Sequence, residues 1–130
     1  MRVLVCGDRE WTSTRDKDLV FLILDLLKKS LQEDIVIIEG ECRGVDTWAR
    51  EWAKARQVSY LPFPADWKLG KRAGPLRNLK MLEEGKPNLV LAFHDDLTKS
   101  KGTKSMITLA NKKDVPVKIY SEQDILALFE

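Results

Sequence analysis

Five short apolar runs alternate along this chain with stretches whose apolar residues recur every three or four positions, and that alternation leaves few folds open. Residues 2–6, RVLVC, begin the series and end at Gly7. Residues 35–38, IVII, are β-branched throughout and stop at Glu39 and Gly40; residues 58–63, 88–93 and 115–120 supply three more strands. Between them lie helical patterns. Leu19, Val20, Ile23, Leu24, Leu27 and Leu31 mark the apolar face of one over residues 16–31, with Lys28 and Lys29 near its end, where cations suit the helix dipole. Val45, Trp48, Ala49, Trp52 and Ala53 mark a second over 44–56. Leu76, Leu79 and Leu82 mark a third ending near Glu84, after a loop over 64–75, and Met106, Ile107 and Ala110 a fourth over 103–112. Ser121 to Asp124 has capping-box form before a last short helix carrying Ile125, Leu126 and Phe129.

Strands alternating with helices of this length pair in parallel through right-handed crossovers, with helices on both faces of the sheet. The expected class is therefore α/β, a Rossmann-like, doubly wound three-layer sandwich with a mainly parallel sheet of about five strands. The 130 residues suffice for one core, and no repeat or linker divides them, so a single domain over 1–130 is expected.

Composition narrows the partners. Lys and Arg number 22 against 20 Asp and Glu, a net charge of +2 that argues against coating nucleic acid through a general basic field. Two cysteines and one histidine make neither a disulfide framework nor a zinc site; Cys6 and Cys42 read as inert thiols and His94 as a residue capping or lining the fourth strand's loop. No cofactor or bound metal is expected, Mg2+ accompanying a nucleotide being the one metal this composition leaves room for. No apolar stretch approaches the roughly 18 residues of a membrane span, and the N-terminus lacks a secretory pattern, so a cytoplasmic protein is expected.

In open parallel sheets ligands sit outside the carboxyl ends of the strands. The loops that fall there hold nearly all the unusual residues. Gly7, Asp8, Arg9 and Trp11 follow the first strand; Gly40, Arg43, Gly44 and Asp46 follow the second; Asp66, Trp67, Lys71, Gly74, Arg77 and Asn78 follow the third; Gly102 and Thr103 follow the fourth. All are candidate ligand-binding residues. Glycine at a helix start lets an anion approach free backbone amides at the positive end of the dipole, as at Gly40 and Gly44 and at Gly102 and Thr103. Lys68, Lys71, Arg72 and Arg77 add local positive charge, and Trp11 and Trp67 could either stack on a base or plug an edge of the core. Trp48 and Trp52 read as core or dimer-interface residues, an exposed pair favouring a homodimer.

Five segments in order resemble the YspA/YpsA-related branch of the SLOG superfamily, which also holds the LOG phosphoribohydrolases and the DNA-processing protein DprA. They are residues 7–11 (GDREW), 40–46 (GECRGVD), 64–67 (PADW), 70–78 (GKRAGPLRN) and 102–103 (GT). The resemblance implies a Rossmann-like domain that binds nucleotides or their derivatives at the strand carboxyl ends. It also exposes a departure: LOG enzymes carry a glutamate after their Gly-Thr, and Met106 stands in its place here. Cleavage of a base–ribose bond needs a carboxylate to steady an oxocarbenium-like centre or to aim water at it.

Three readings follow. The first is a sensor or binding module for a nucleotide-derived small molecule, with Arg9, Arg43 and Arg77 as charge partners and Asp46 or Asp8 accepting from ribose hydroxyls. The second is a phosphoribohydrolase-like enzyme in which Glu39, Asp46, Asp66, Asp95 or Asp96 replaces the missing glutamate, Asp46 and Arg77 being its tentative catalytic pair. The third, DprA-like binding of single-stranded nucleic acid through the 68–77 loop and Trp67, is weakened by the near-neutral charge.

Overall fold

The computed structural model describes residues 1–130. Its centre is a five-stranded sheet, all parallel, in the order β3-β2-β1-β4-β5. The strands are β1 (Arg2–Gly7), β2 (Val36–Glu39), β3 (Ser59–Pro62), β4 (Leu89–Phe93) and β5 (Val117–Tyr120). Because every crossover is parallel, each needs a helix, and the chain supplies α1 (Thr14–Ser30), α2 (Val45–Ala55), α3 (Ala73–Gly85) and α4 (Gly102–Lys112). A short α5 (Glu122–Ala127) ends the fold.

The period of two along each strand sorts side chains between two cores. Val3 and Val5 of β1, Ile37 of β2 and Leu91 and Phe93 of β4 face α1, α2 and α5, where they meet Leu24, Ala49, Trp52 and Ile125. Leu4 and Cys6, Ile38, and Val90 and Ala92 face α3 and α4, where they meet Met81, Leu82, Met106 and Ala110. This is the three-layer arrangement.

Several boundaries differ from the sequence reading, each for a local reason. Helix α1 starts two residues early because Ser13 accepts from the Asp16 amide at 3.1 Å while Asp16 accepts from the Ser13 amide at 3.3 Å, a second capping box. The 64–75 loop is partly helical: a 3-10 segment, Trp67–Arg72, starts where Asp66 accepts from the Lys68 amide, and α3 begins at Ala73. Pro75 is tolerated because the amide it lacks would be unpaired in a first turn. Strand β2 continues through Glu39, which is fully buried.

Trp48 and Trp52 make no exposed pair. Trp52 is wholly buried between α2 and α1, its indole N–H donating to Asp25 at 2.8 Å, and the half-buried Trp48 donates to the Trp11 carbonyl at 2.6 Å. Both serve packing within one chain.

Candidate functional site

The strand order places a topological switch between β1 and β4, whose outgoing loops leave on opposite sides of the sheet. A crevice of about 400 Å³ opens there, lined by residues 6–10, by Asp46, Arg77 and Asn78, and by His94 and residues 99–103. A second hollow of about 430 Å³ adjoins it, lined by Arg9, residues 40–43, Pro64, Ala65 and Trp67. Arg9 and Cys42 border both.

Of the residues singled out from sequence, Gly7, Asp8, Arg9, Asp46, Arg77, Asn78, Gly102 and Thr103 meet at the crevice, and Gly40, Arg43 and Trp67 at the adjoining hollow. The others lie elsewhere. Trp11 is 3% exposed and packs with its ring centroid 6.1 Å from that of Phe93, so it plugs the core and presents no face to a base. Asp66 caps the 3-10 segment, Lys71 stands exposed on it, and Gly74 sits in the first turn of α3; none lines either hollow.

The 40–46 loop is built differently from a phosphate cradle. Asp46 Oδ2 accepts from the Gly40 amide at 3.1 Å and the Cys42 amide at 3.2 Å, so the protein's own carboxylate occupies donors that a phosphate would use. Burial holds the Asp46 carboxyl up at about 6, against the pull of those amides and of Arg77. Gly44, at φ 77, is glycine because a side chain there would also fall on the Asp8 carbonyl.

Arg77 is equally committed. Only 8% exposed, it donates to the Gly40 carbonyl and, at 3.0 Å, to Asn78 Oδ1, with Nη2 3.6 Å from the Cys42 sulfur. A Cβ on Gly40 would lie 2.5 Å from the same guanidinium, so Gly40 is small to admit Arg77. Asn78 Nδ2 in turn donates to the Gly102 carbonyl at 3.2 Å. Arg77 and Asn78 thus form a strut that ties the β2 loop through α3 to the start of α4.

That start is the more open anion site. Helix α4 has no side-chain cap at Lys101; Ser100 Oγ accepts from the Thr103 amide at 3.1 Å, and Lys99 and Lys101 stand beside it on the crevice wall. Opposite lies Asp8, whose Oδ1 accepts from the Glu10 amide at 2.8 Å and whose Oδ2 is 3.7 Å from His94 Nε2. His94 Nδ1 accepts from the Asp96 amide at 3.0 Å, which assigns the proton of the neutral ring to Nε2, on the Asp8 side.

Among the carboxylates considered for catalysis, Asp46 reaches the crevice only as a loop staple. Asp95 accepts from the Glu122 amide, Asp96 caps the turn at Leu97–Lys99, and Glu39 is sealed beneath α2. Met106 is core, 1% exposed. The sequence reading missed His94's link to Asp8 and the crevice-lining Lys99, Ser100 and Lys101, which carried no motif beyond their nearness to Gly102. Burial pushes the Cys6 thiol well above its ordinary range, keeping it protonated.

The model of the family described as "YspA, cpYpsA-related SLOG family" matches residues 1–70, which take in the loops after β1 and β2 and the start of the 3-10 segment. The Gene 61 protein of Mycobacterium phage D29 is 37% identical over 123 residues, spanning 89% of this chain and 93% of the phage protein. With more than half its length matched, the chain belongs to the YspA, cpYpsA-related SLOG family.

Proposed function

We propose that the protein binds a nucleotide or nucleotide-derived molecule in the β1/β4 crevice, as a sensor or binding module. Membership of the SLOG family supports a nucleotide-related role. The observation that carries the reading is the first turn of α4, which faces the crevice between Lys99 and Lys101 with one of its amides, that of Thr103, held by the Ser100 hydroxyl and no carboxylate upon it. A phosphate sits there, and Asp8, with one carboxylate oxygen turned towards His94, accepts from ribose hydroxyls. Arg77 shapes the site through its strut and leaves the charge pairing to Lys99, Lys101 and Arg9.

Thermal denaturation in the presence of mono-, di- and cyclic nucleotides and ADP-ribose tests this directly. A ligand at a hundred times its Kd adds about 2.7 kcal/mol, a shift of several degrees for a chain of this size. Absence of any shift at millimolar concentration refutes the proposal.

A second reading, cleavage of the base–ribose bond, draws on one observation: Asp8 is the carboxylate that the crevice presents beside a histidine. Chromatography after long incubation decides it. Free base formed by the wild type and not by Asp8→Asn supports turnover; none from either leaves binding as the function.

A further inference from the structure

We infer that the ligand is larger than a mononucleotide and carries two ring systems joined through phosphate, the second ring lying beside Trp67. The inference rests on the nucleotide reading above and extends it to the second hollow. Its starting point is an exposed indole: Trp67 is 60% exposed, whereas Trp11 and Trp52 are buried. An exposed tryptophan facing a hollow costs solvation and is a platform of the kind on which bases stack.

Around Trp67 the chemistry suits a second ring and its link to the first. The Arg9 guanidinium lies over the indole, 5.8 Å from its centroid, and takes part in none of the molecule's ion pairs. Arg9 also borders the first crevice, so it stands where a phosphate bridging the two hollows would pass. Pro64 and Ala65 supply an apolar wall, and Arg43, paired with Glu10, a further planar cation. Each hollow alone is near the lower end of the roughly 300–1,000 Å³ typical of small-molecule sites, and the two together approach its upper end.

A free dinucleotide and a stretch of single-stranded nucleic acid share this chemistry. The net charge of +2 favours the free molecule, since tracking a strand draws on an extended basic groove.

Isothermal titration of the full chain with ribonucleoside monophosphates, the matching dinucleoside diphosphates and oligonucleotides of increasing length tests the inference. For the preferred base the dinucleotide binds at least about tenfold more tightly than the mononucleotide. Trp67→Ala abolishes that gain and leaves mononucleotide affinity within about twofold, an unchanged melting curve showing that the fold is intact. Equal affinity of the two ligands, or a gain that survives Trp67→Ala, overturns the inference while the nucleotide reading stands. Affinity that keeps rising with oligonucleotide length overturns it in favour of a strand, and binding of neither ligand overturns both readings.

Discussion

Glu39 offers the sharpest test of the electrostatics beneath the site. Its side chain is fully buried at the end of β2; Oε2 accepts from the Glu41 amide at 2.6 Å, and Oε1 has no partner. Burial, reinforced by the nearby Asp46 carboxylate, raises its pKa from 4.5 to about 7. Between those values the folded protein holds a proton that the unfolded chain releases, so the share of stability that Glu39 governs is greatest below pH 4.5 and is lost as pH rises towards 7. A rise of about 2.5 at roughly 1.4 kcal/mol apiece amounts to about 3 kcal/mol. Glu39→Gln removes that dependence. The amide oxygen keeps the bond to Glu41, while the amide nitrogen, placed where Oε1 has no partner, costs about 1 kcal/mol at any pH. Urea denaturation followed by tryptophan fluorescence should find the variant about 1 kcal/mol less stable than wild type at pH 4 and about 2 kcal/mol more stable at pH 8. A difference of one sign and size at both pH values would refute the reasoning, because it would mean that Glu39 gains and loses its proton in the fold just as it does in the unfolded chain.

Four further outcomes follow from the geometry. Gly44→Ala combines a left-handed φ with a clash on the Asp8 carbonyl and should cost more than about 2 kcal/mol in chemical denaturation. Gly74→Ala, in open space within the first turn of α3, should instead be neutral or stabilise by up to about 1 kcal/mol. Trp11→Ala empties a core site against Phe93 and should cost about 3–5 kcal/mol, whereas Trp67→Ala should cost under about 1 kcal/mol; equal losses would contradict their assigned places. Lys101→Ala should weaken nucleotide monophosphate binding roughly tenfold without moving the melting temperature, with the loss shrinking in high salt; an unchanged affinity would remove the phosphate from the start of α4.

Much of the fold was legible because its signals are local. The β-branched run at 35–38 and the three- and four-residue spacing of Leu19, Val20, Ile23 and Leu24 each point to one element whatever surrounds them, and alternation of the two types requires parallel pairing. The Ser13–Asp16 box was equally present and went unread, which shifted the start of α1. Convergence of the loops that follow the first four strands could also be argued from sequence, since a parallel sheet sends every strand's carboxyl end to the same rim.

What each polar group does at that rim depends on distances that no motif encodes. In sequence, Asp46 and Arg77 look like a charged pair awaiting substrate; folded, Asp46 staples its own loop and Arg77 is spent on the Gly40 carbonyl and Asn78. Trp11 and Trp67 both sit in loops after strands, and only packing against Phe93 sends one inward while the other stays in water beside Arg9. Periodicity and turn chemistry act over a few residues and so determined the elements and their order. Whether Asp46 and Arg77 face a ligand or the protein itself turns on contacts such as that of Arg77 with the Gly40 carbonyl, 37 positions away, and tertiary packing alone decided it.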